Sequence, residues 1–262
     1  MTTAVHRKER AGAPPGLFAW EAAGLRWLEV DGGPRIVQVL ALDDDGLDLE
    51  RISTAAPRRD VAERFGAALA RLHDAGADAF GSHPPGWSGA GFFGPLDDPL
   101  PLPAGDDHRW GRFYADARLE QVRSLLRARR RLSPALARDL DRVADALRAG
   151  LWDDDAPPAR LHGDLWAGNV LWTAQDAVLI DPSAHGGHRL TDLAMLHLFG
   201  APHLPAILAG YASVHPLPDG WTDLIELHQL YALGMHAVLF GGSYVDRLAG
   251  LVSRCADAVP QG

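Results

Sequence analysis

Residues 162–172 read HGDLWAGNVLW, and residues 179–182 read LIDP. Asp164 and Asn169 stand five apart in an expected loop, the D-x-x-x-x-N spacing. Two short apolar runs follow, Asn169 to Trp172 and Ala177 to Ile180, and predict a small β-hairpin. Asp181 ends its second strand. Phosphoryl transfer from ATP requires such a set: an acid to take the proton of an attacking hydroxyl, an amide oxygen and a carboxylate on Mg²⁺, and a cation on the phosphates. Alone, Asp164 and Asn169 read as turn residues and Asp181 as a strand cap. The whole string, with its apolar hairpin and Ile180-Asp181-Pro182, is far more specific.

The cation has one outstanding candidate. Of 25 basic residues, 24 are Arg, and Lys8 is the single lysine. A lysine kept where arginine serves elsewhere marks a place for a compact ammonium rather than a planar fork; chance is the alternative. Around Lys8 the chain reads as a small α/β unit. A short strand is expected within residues 1–10, and a helix over Leu17–Val30, with Phe18, Ala22, Leu25 and Leu28 on one face and Glu21 on the turn of Leu25. A β-rich run covers Arg35–Leu42, and a second strand Leu47–Ile52 follows a turn at 43–46.

Beyond Pro57 the pattern turns helical. Asp60 with Glu63 predicts a capping box for a helix ending near Gly76. Residues 81–109, rich in Gly, Pro and Asp, read as a long ordered loop. Helices are expected over Trp110–Arg131, from Ser133-Pro134 to Gly150, over Thr191–Phe199, Leu204–Tyr211 and Trp221–Phe240, and over Tyr244–Ala256. The Trp221–Phe240 segment is apolar nearly all round and is expected to be buried.

Composition excludes several classes. A net charge of −9 argues against a general nucleic-acid binder. Cys255, the lone cysteine, permits no internal disulfide or cysteine-based metal cluster, and reads as a packed thiol. The polar start lacks a secretory apolar region, and no apolar run has the length of a membrane helix, so a cytoplasmic protein with no membrane partner is the expectation.

The string HGDLWAGNVLW…LIDPSAHGGHR…DLAMLHLFG resembles the fructosamine kinase (ketosamine-3-kinase) family, within the aminoglycoside-phosphotransferase-like group. Further marks are Trp110-Gly-Arg-Phe-Tyr with Arg118-Leu119, Gly220-Trp221, Leu227-His228-Gln229-Leu230 and Leu239-Phe240-Gly241-Gly242, so the likeness spans roughly residues 5–252. The resemblance implies an α+β, two-lobed protein-kinase-like fold, with a reduced β-rich N-terminal lobe (1–56) and a mainly helical C-terminal lobe (57–262). It implies an ATP- and Mg²⁺-dependent kinase acting on the sugar part of a ketoamine, free or protein-bound. Lys8 would bind phosphate with Glu21 as its partner. The run Leu47–Ile52 would meet adenine through the backbone, with Glu50 and Ile52 as contacts. Asp164 would be the base, and Asn169 and Asp181 the Mg²⁺ ligands. Trp166 reads as a flat platform for the sugar, with a core aromatic as the alternative, and His188 and His228 would be further substrate contacts, although a buried, hydrogen-bonded role suits His228 equally.

Two departures stand out. Lys8 comes so early that the two strands and glycine-rich loop that usually cover the phosphates are absent, which leaves an upstream start, another cover or weak ATP binding as alternatives. Gly81–Gly94 is a tempting substitute cover but reads as a plain loop. Leu190 stands where the family usually carries an acid, with Thr191-Asp192 able to cap the next helix. A zinc site from His162, His185, His188 and Asp181 is the weaker reading of those residues. Arg123–Arg131 reads as a solvated basic helix end. The rival functions are phosphorylation of another small hydroxyl compound and a pseudokinase that only binds.

Overall fold

Residues 4–260 are described in a computed structural model. Strands β1 (Val5–Glu9), β3 (Val39–Leu42) and β4 (Gly46–Glu50) form an antiparallel sheet in the order β1-β4-β3, with Lys8 opposite Leu47. Helix α1 (Leu17–Leu28) buries Phe18, Ala22, Leu25 and Leu28, the face its periodicity predicts, in one cluster with Leu47 and Leu49.

The run Arg35–Leu42 is not one strand. Its start, β2 (Arg35–Ile36), pairs parallel with β9 (Ala177–Leu179), and the Val37 N–H donates to the Leu179 carbonyl at 3.1 Å. Only its end pairs with β4. Alternating apolar residues specify a strand but not which edge receives it. The consequence is a sheet β2-β9-β8, with β8 at Val170–Trp172, that joins the N-terminal unit to the expected hairpin.

Other expectations need correction. Helix α2 (Arg59–Asp74) has no capping box; the Asp60 carboxylate takes Arg58 and Arg64 instead. Residues 81–109 contain a hairpin, β5 (Gly91–Phe93) with β6 (Leu100–Leu102), held by burial of Phe93, Leu100 and Leu102 despite its turn-rich composition. The Trp110–Arg131 helix is three pieces: α3 (Trp110–Phe113), a π-helical turn (Tyr114–Leu119) and α4 (Glu120–Ala128). The basic end is only partly solvated, since Arg131 donates to the Ala237 carbonyl at 3.0 Å. Helix α5 (Pro134–Arg148) starts as expected, with the Ser133 hydroxyl accepting the Leu136 N–H. Strands β7 (Ala159–Leu161) and β10 (His185–Gly187) then pair.

Helices α6 (Leu190–Leu198), α7 (Leu204–Val214), α8 (Ile225–Phe240) and α9 (Ser243–Asp257) complete the fold. Helix α8 is buried along most of its length. The Tyr114 hydroxyl stands within its ladder, accepting from the Tyr231 N–H and donating to the Leu227 carbonyl, both at 3.0 Å. Helices α2 and α7 cross at glycines: a Cβ on Gly66 would meet the Ile207 carbonyl oxygen at 1.8 Å, and one on Gly210 the Glu63 carbonyl oxygen at 1.8 Å. Cys255 is buried in α9, where burial pushes its thiol up to about 11. No helix among the described residues is long and apolar enough to cross a membrane.

Burial pulls seven histidines (His73, His83, His162, His185, His197, His228 and His236) below the usual imidazole range, to about 4 for His83 and about 3 for His185. The unfolded chain takes up those protons first as pH falls below about 6.5, so stability present above that pH is lost below it. Asp164, raised by burial to about 7, and Glu21, which burial also raises, work in the opposite direction but are two groups against seven. Urea unfolding at pH 7 and pH 5 is expected to show a loss of at least ~3 kcal/mol at the lower pH. Equal midpoints would contradict the buried neutral histidines.

Candidate active site

Lys8 leaves β1 towards α1. Its Nζ donates to Glu21 Oε2 at 2.7 Å and Oε1 at 2.9 Å, and to Asp181 Oδ1 at 3.0 Å. The lysine side chain is 15% exposed and that of Glu21 12%, so this pair is largely shielded from water. Burial disfavours the ammonium, but Glu21 and Asp181 outweigh it and hold the Lys8 pKa above its ordinary value. Asp181 follows β9 with φ +54°, a left-handed conformation that Asp tolerates better than most residues, and this turns the chain at the hairpin's end.

The loop at 162–169 is braced from below. Asp192, buried in the first turn of α6, accepts the His162 N–H at 2.8 Å and the Gly163 N–H at 3.0 Å, and lies 3.2 Å from His73 Nε2. Burial alone would raise its pKa, but these partners hold it below the usual carboxylate value. Gly163 is required: φ is +80°, and a Cβ would come within 2.2 Å of the Ser183 carbonyl oxygen. His162 Nδ1 accepts the Asp164 N–H at 3.2 Å, so its Nε2–H donates to the Ile180 carbonyl at 2.9 Å. One neutral tautomer thus links the loop to the strand before Asp181.

Above this scaffold, Asn169 Nδ2 donates to the Asp164 carbonyl (2.8 Å), Asp164 Oδ2 (3.0 Å) and the Asp181 carbonyl (3.4 Å). Its Oδ1 makes no hydrogen bond among the described residues, and the Asp181 carboxylate lines the same cleft. Two hard oxygen donors suit Mg²⁺ shared with phosphate oxygens. Burial lifts Asp164 to about 7, opposed by the Asn169 bond and reinforced by Asp181 and Asp192. A carboxylate of that basicity is poised to take a proton near neutral pH.

Two spaces meet at Lys8 and Asp181. One, of about 300 Å³, is bordered by Val37, Leu49, Glu50, Arg51, Ile52 and Leu171. Its apolar width suits a flat base, and among the described residues the Ile52 N–H finds no acceptor. The Glu50 carboxylate is committed to Arg35 (2.7 Å) and the Gln38 N–H (3.1 Å), and its own N–H donates to the Gln38 carbonyl (2.9 Å), so only its backbone carbonyl is left to a ligand. The other, of about 290 Å³, holds Glu21, Asp164 and Asn169 at its inner end and is walled by Trp20, Phe92 to Leu96, Trp166, His236 and Leu239 to Phe240.

Lys8, Glu21, Asp164, Asn169, Asp181 and Trp166 therefore line one cleft. His188 and His228 do not line it. They are buried in a stack, His228 4.3 Å from the Trp110 ring and 4.6 Å from His188, with His188 Nε2 3.2 Å from Asp154 and His228 Nδ1 3.1 Å from Thr191. This corrects the expected substrate contacts to packing roles. The zinc reading also fails: His162 and His185 are bound to backbone carbonyls, and no group of three metal-ligating side chains occurs among the described residues. Asp192 braces the loop rather than capping α6, and Leu190 is core. Sequence reasoning missed the cleft wall at Phe92–Leu96 and the brace at Asp192. An acid inside the apolar run Leu190–Phe199 was the available signal for the brace.

The fructosamine kinase family profile matches residues 8–258. The probable ketoamine kinase slr1563 of Synechocystis is 34% identical over 244 residues, which span 91% of this chain and 78% of that protein. A crystal structure from Thermobifida fusca, described as a fructosamine-3-kinase, superposes with a TM-score of 0.89 at 42% identity, covering 98% of this chain and 86% of the other. The gentamicin complex of APH(2")-IIa superposes with a TM-score of 0.60 at 14% identity, over 98% of this chain and 85% of that one, and shows the shared fold alone. The chain belongs to the fructosamine kinase family, ATP-dependent phosphotransferases of protein-kinase-like fold that act on a hydroxyl group of ketoamines.

Proposed function

We propose that this protein phosphorylates the sugar O3 of a ketoamine such as a ribulosamine, erythrulosamine or fructosamine, free or protein-borne, in the repair or metabolism of glycated amines. The observation that carries the reading is the convergence of Asp164, Asn169, Asp181 and the Lys8–Glu21 pair on one cleft beside the exposed Trp166 ring. Residues 1–56 serve as the ATP lobe, with the Glu50–Ile52 backbone against adenine, and residues 57–262 as the catalytic and substrate lobe. The cytoplasm, where ATP is abundant, is the fitting compartment.

Mg²⁺, held by Asn169 Oδ1 and the Asp181 carboxylate, supplies charge neutralisation on the phosphates when bound. Lys8 places its ammonium on the same phosphates, kept charged by Glu21. Asp164 accepts the hydroxyl proton as the sugar oxygen bonds to the γ-phosphorus and ADP leaves. Asn169 and the Asp192-braced backbone keep the Asp164 carboxylate in place. The Trp166 face orients the sugar by apolar contact.

The test is ADP release with Mg-ATP and a synthetic ribulosyl- or fructosyl-lysine derivative. Wild type is expected to turn over only with the ketoamine, and Asp164→Asn to lose on the order of 10²–10⁴ in kcat while melting as a folded protein. Full activity in Asp164→Asn, or no ketoamine-dependent turnover in wild type, sinks the proposal. Lys8→Arg puts a fork where two carboxylates hold one nitrogen, and is expected to raise the KM for ATP about tenfold or more. An unchanged KM would remove Lys8 from the phosphate site.

A further inference from the structure

The substrate cleft has two halves of opposite character. Its charged lining residues, Lys8, Glu21, Asp164 and Asp181, all belong to the inner end, linked to one another directly or through Asn169. The outer half has no charged lining residue among those described. The rings of Trp166, His236 and Phe240 line it, and Phe199 and Tyr244 join them into one row. Trp166 stands 6.2 Å from Phe199, Phe199 4.7 Å from His236, His236 5.7 Å from Phe240, and Phe240 5.8 Å from Tyr244, centroid to centroid. Helix geometry builds the row, because His236 and Phe240 are one turn apart on α8. The family mark Leu239-Phe240-Gly241-Gly242 thus ends at the cleft mouth, with no part in the chemistry described above.

Phe240 is 57% exposed and Trp166 39%, two large apolar side chains left open to water beside a cleft. The facing wall is fixed: the Phe92 carbonyl accepts the Trp20 indole N–H at 2.9 Å, and the Leu96 carbonyl accepts from Arg10 at 2.6 Å. Burial keeps the His236 ring below its usual pKa, so this row is uncharged at neutral pH. A ligand cation is disfavoured here too. No carboxylate lines this half, among the described residues, to neutralise such a charge.

We propose that the outer half is the subsite for the amine-borne part of the ketoamine, and that it selects a flat apolar group over a charged or very short one. Phe240 is its specificity-determining residue. The inference rests on the ketoamine reading above. A substrate ring laid against the exposed Trp166 or Phe240 ring would form the kind of offset or edge-to-face pair that aromatic groups favour.

The test compares kcat/KM for ribulosyl derivatives of methylamine, benzylamine and 1,4-diaminobutane in wild type and Phe240→Ala. Wild type is expected to favour the benzyl compound over the other two by about tenfold or more, chiefly through KM. Phe240→Ala is expected to shrink that ratio to about threefold or less, because it lowers the benzyl value most. Equal values for the three compounds overturn the inference, as does preference for the diamine or a benzyl preference that survives Phe240→Ala. The wild-type series stands by itself if the variant misfolds. Turnover of all three without preference leaves the ketoamine reading intact and removes only the subsite. Silence towards all three, with ATP bound, sinks both.

Discussion

A single ammonium between two carboxylates organises this molecule. Lys8 comes from β1, Glu21 from α1 and Asp181 from the end of the β8–β9 hairpin, and their mutual bonds fix where three elements converge. Burial makes the arrangement demanding, because each charge has given up much of its water and depends on the others. The group is also deliberately unbalanced. One positive and two negative charges leave an excess of one negative, on a carboxylate 43% exposed towards the cleft. In the proposed reaction that surplus, in the cleft that Asn169 also lines, would receive a cation, and Lys8 would face phosphate.

The loop at 162–169 depends on a second, quieter constraint. Asp164 is placed by backbone, and that backbone hangs from Asp192 through the N–H groups of His162 and Gly163. Asp192 meets His73 of α2, whose Nδ1 lies 2.8 Å from the Tyr211 hydroxyl of α7, which in turn accepts from Arg189 at 3.0 Å. The chain of partners therefore runs through the two helices that touch at Gly66 and Gly210. Side chains between those helices would have allowed the spacing to adjust. Backbone against backbone allows none.

Much of this was legible in the amino-acid order, and the limits have physical reasons. Asp164, Asn169 and Asp181 lie within eighteen positions of one another, so local spacing conveys their geometry. Lys8 was conspicuous as the lone lysine, whereas Glu21 was picked out only by the family resemblance. His188 and His228 misled because histidine is a polar residue type whose burial depends on partners far away, here Trp110 and each other. Asp192 was mistaken for a cap because its side-chain partner His73 is 119 residues distant. The β5–β6 hairpin was hidden by glycine and proline, since its strands are held by burial rather than propensity. Strand β2 lay inside an expected β-rich run, but its partner β9 is distant in the sequence, so the run's split between two sheets was not legible.

The lone lysine has a consequence beyond phosphate. Sugars condense with unprotonated, accessible amines, and ketoamines form from that reaction. This chain offers one ε-amino group to such attack, and Lys8 keeps it protonated and largely walled in between Glu21 and Asp181. Every other basic side chain is a guanidinium. A member of a family that acts on glycated amines thus carries almost no lysine through which it would itself become one. Its side chains offer almost no ε-amine to the modification that its family acts on.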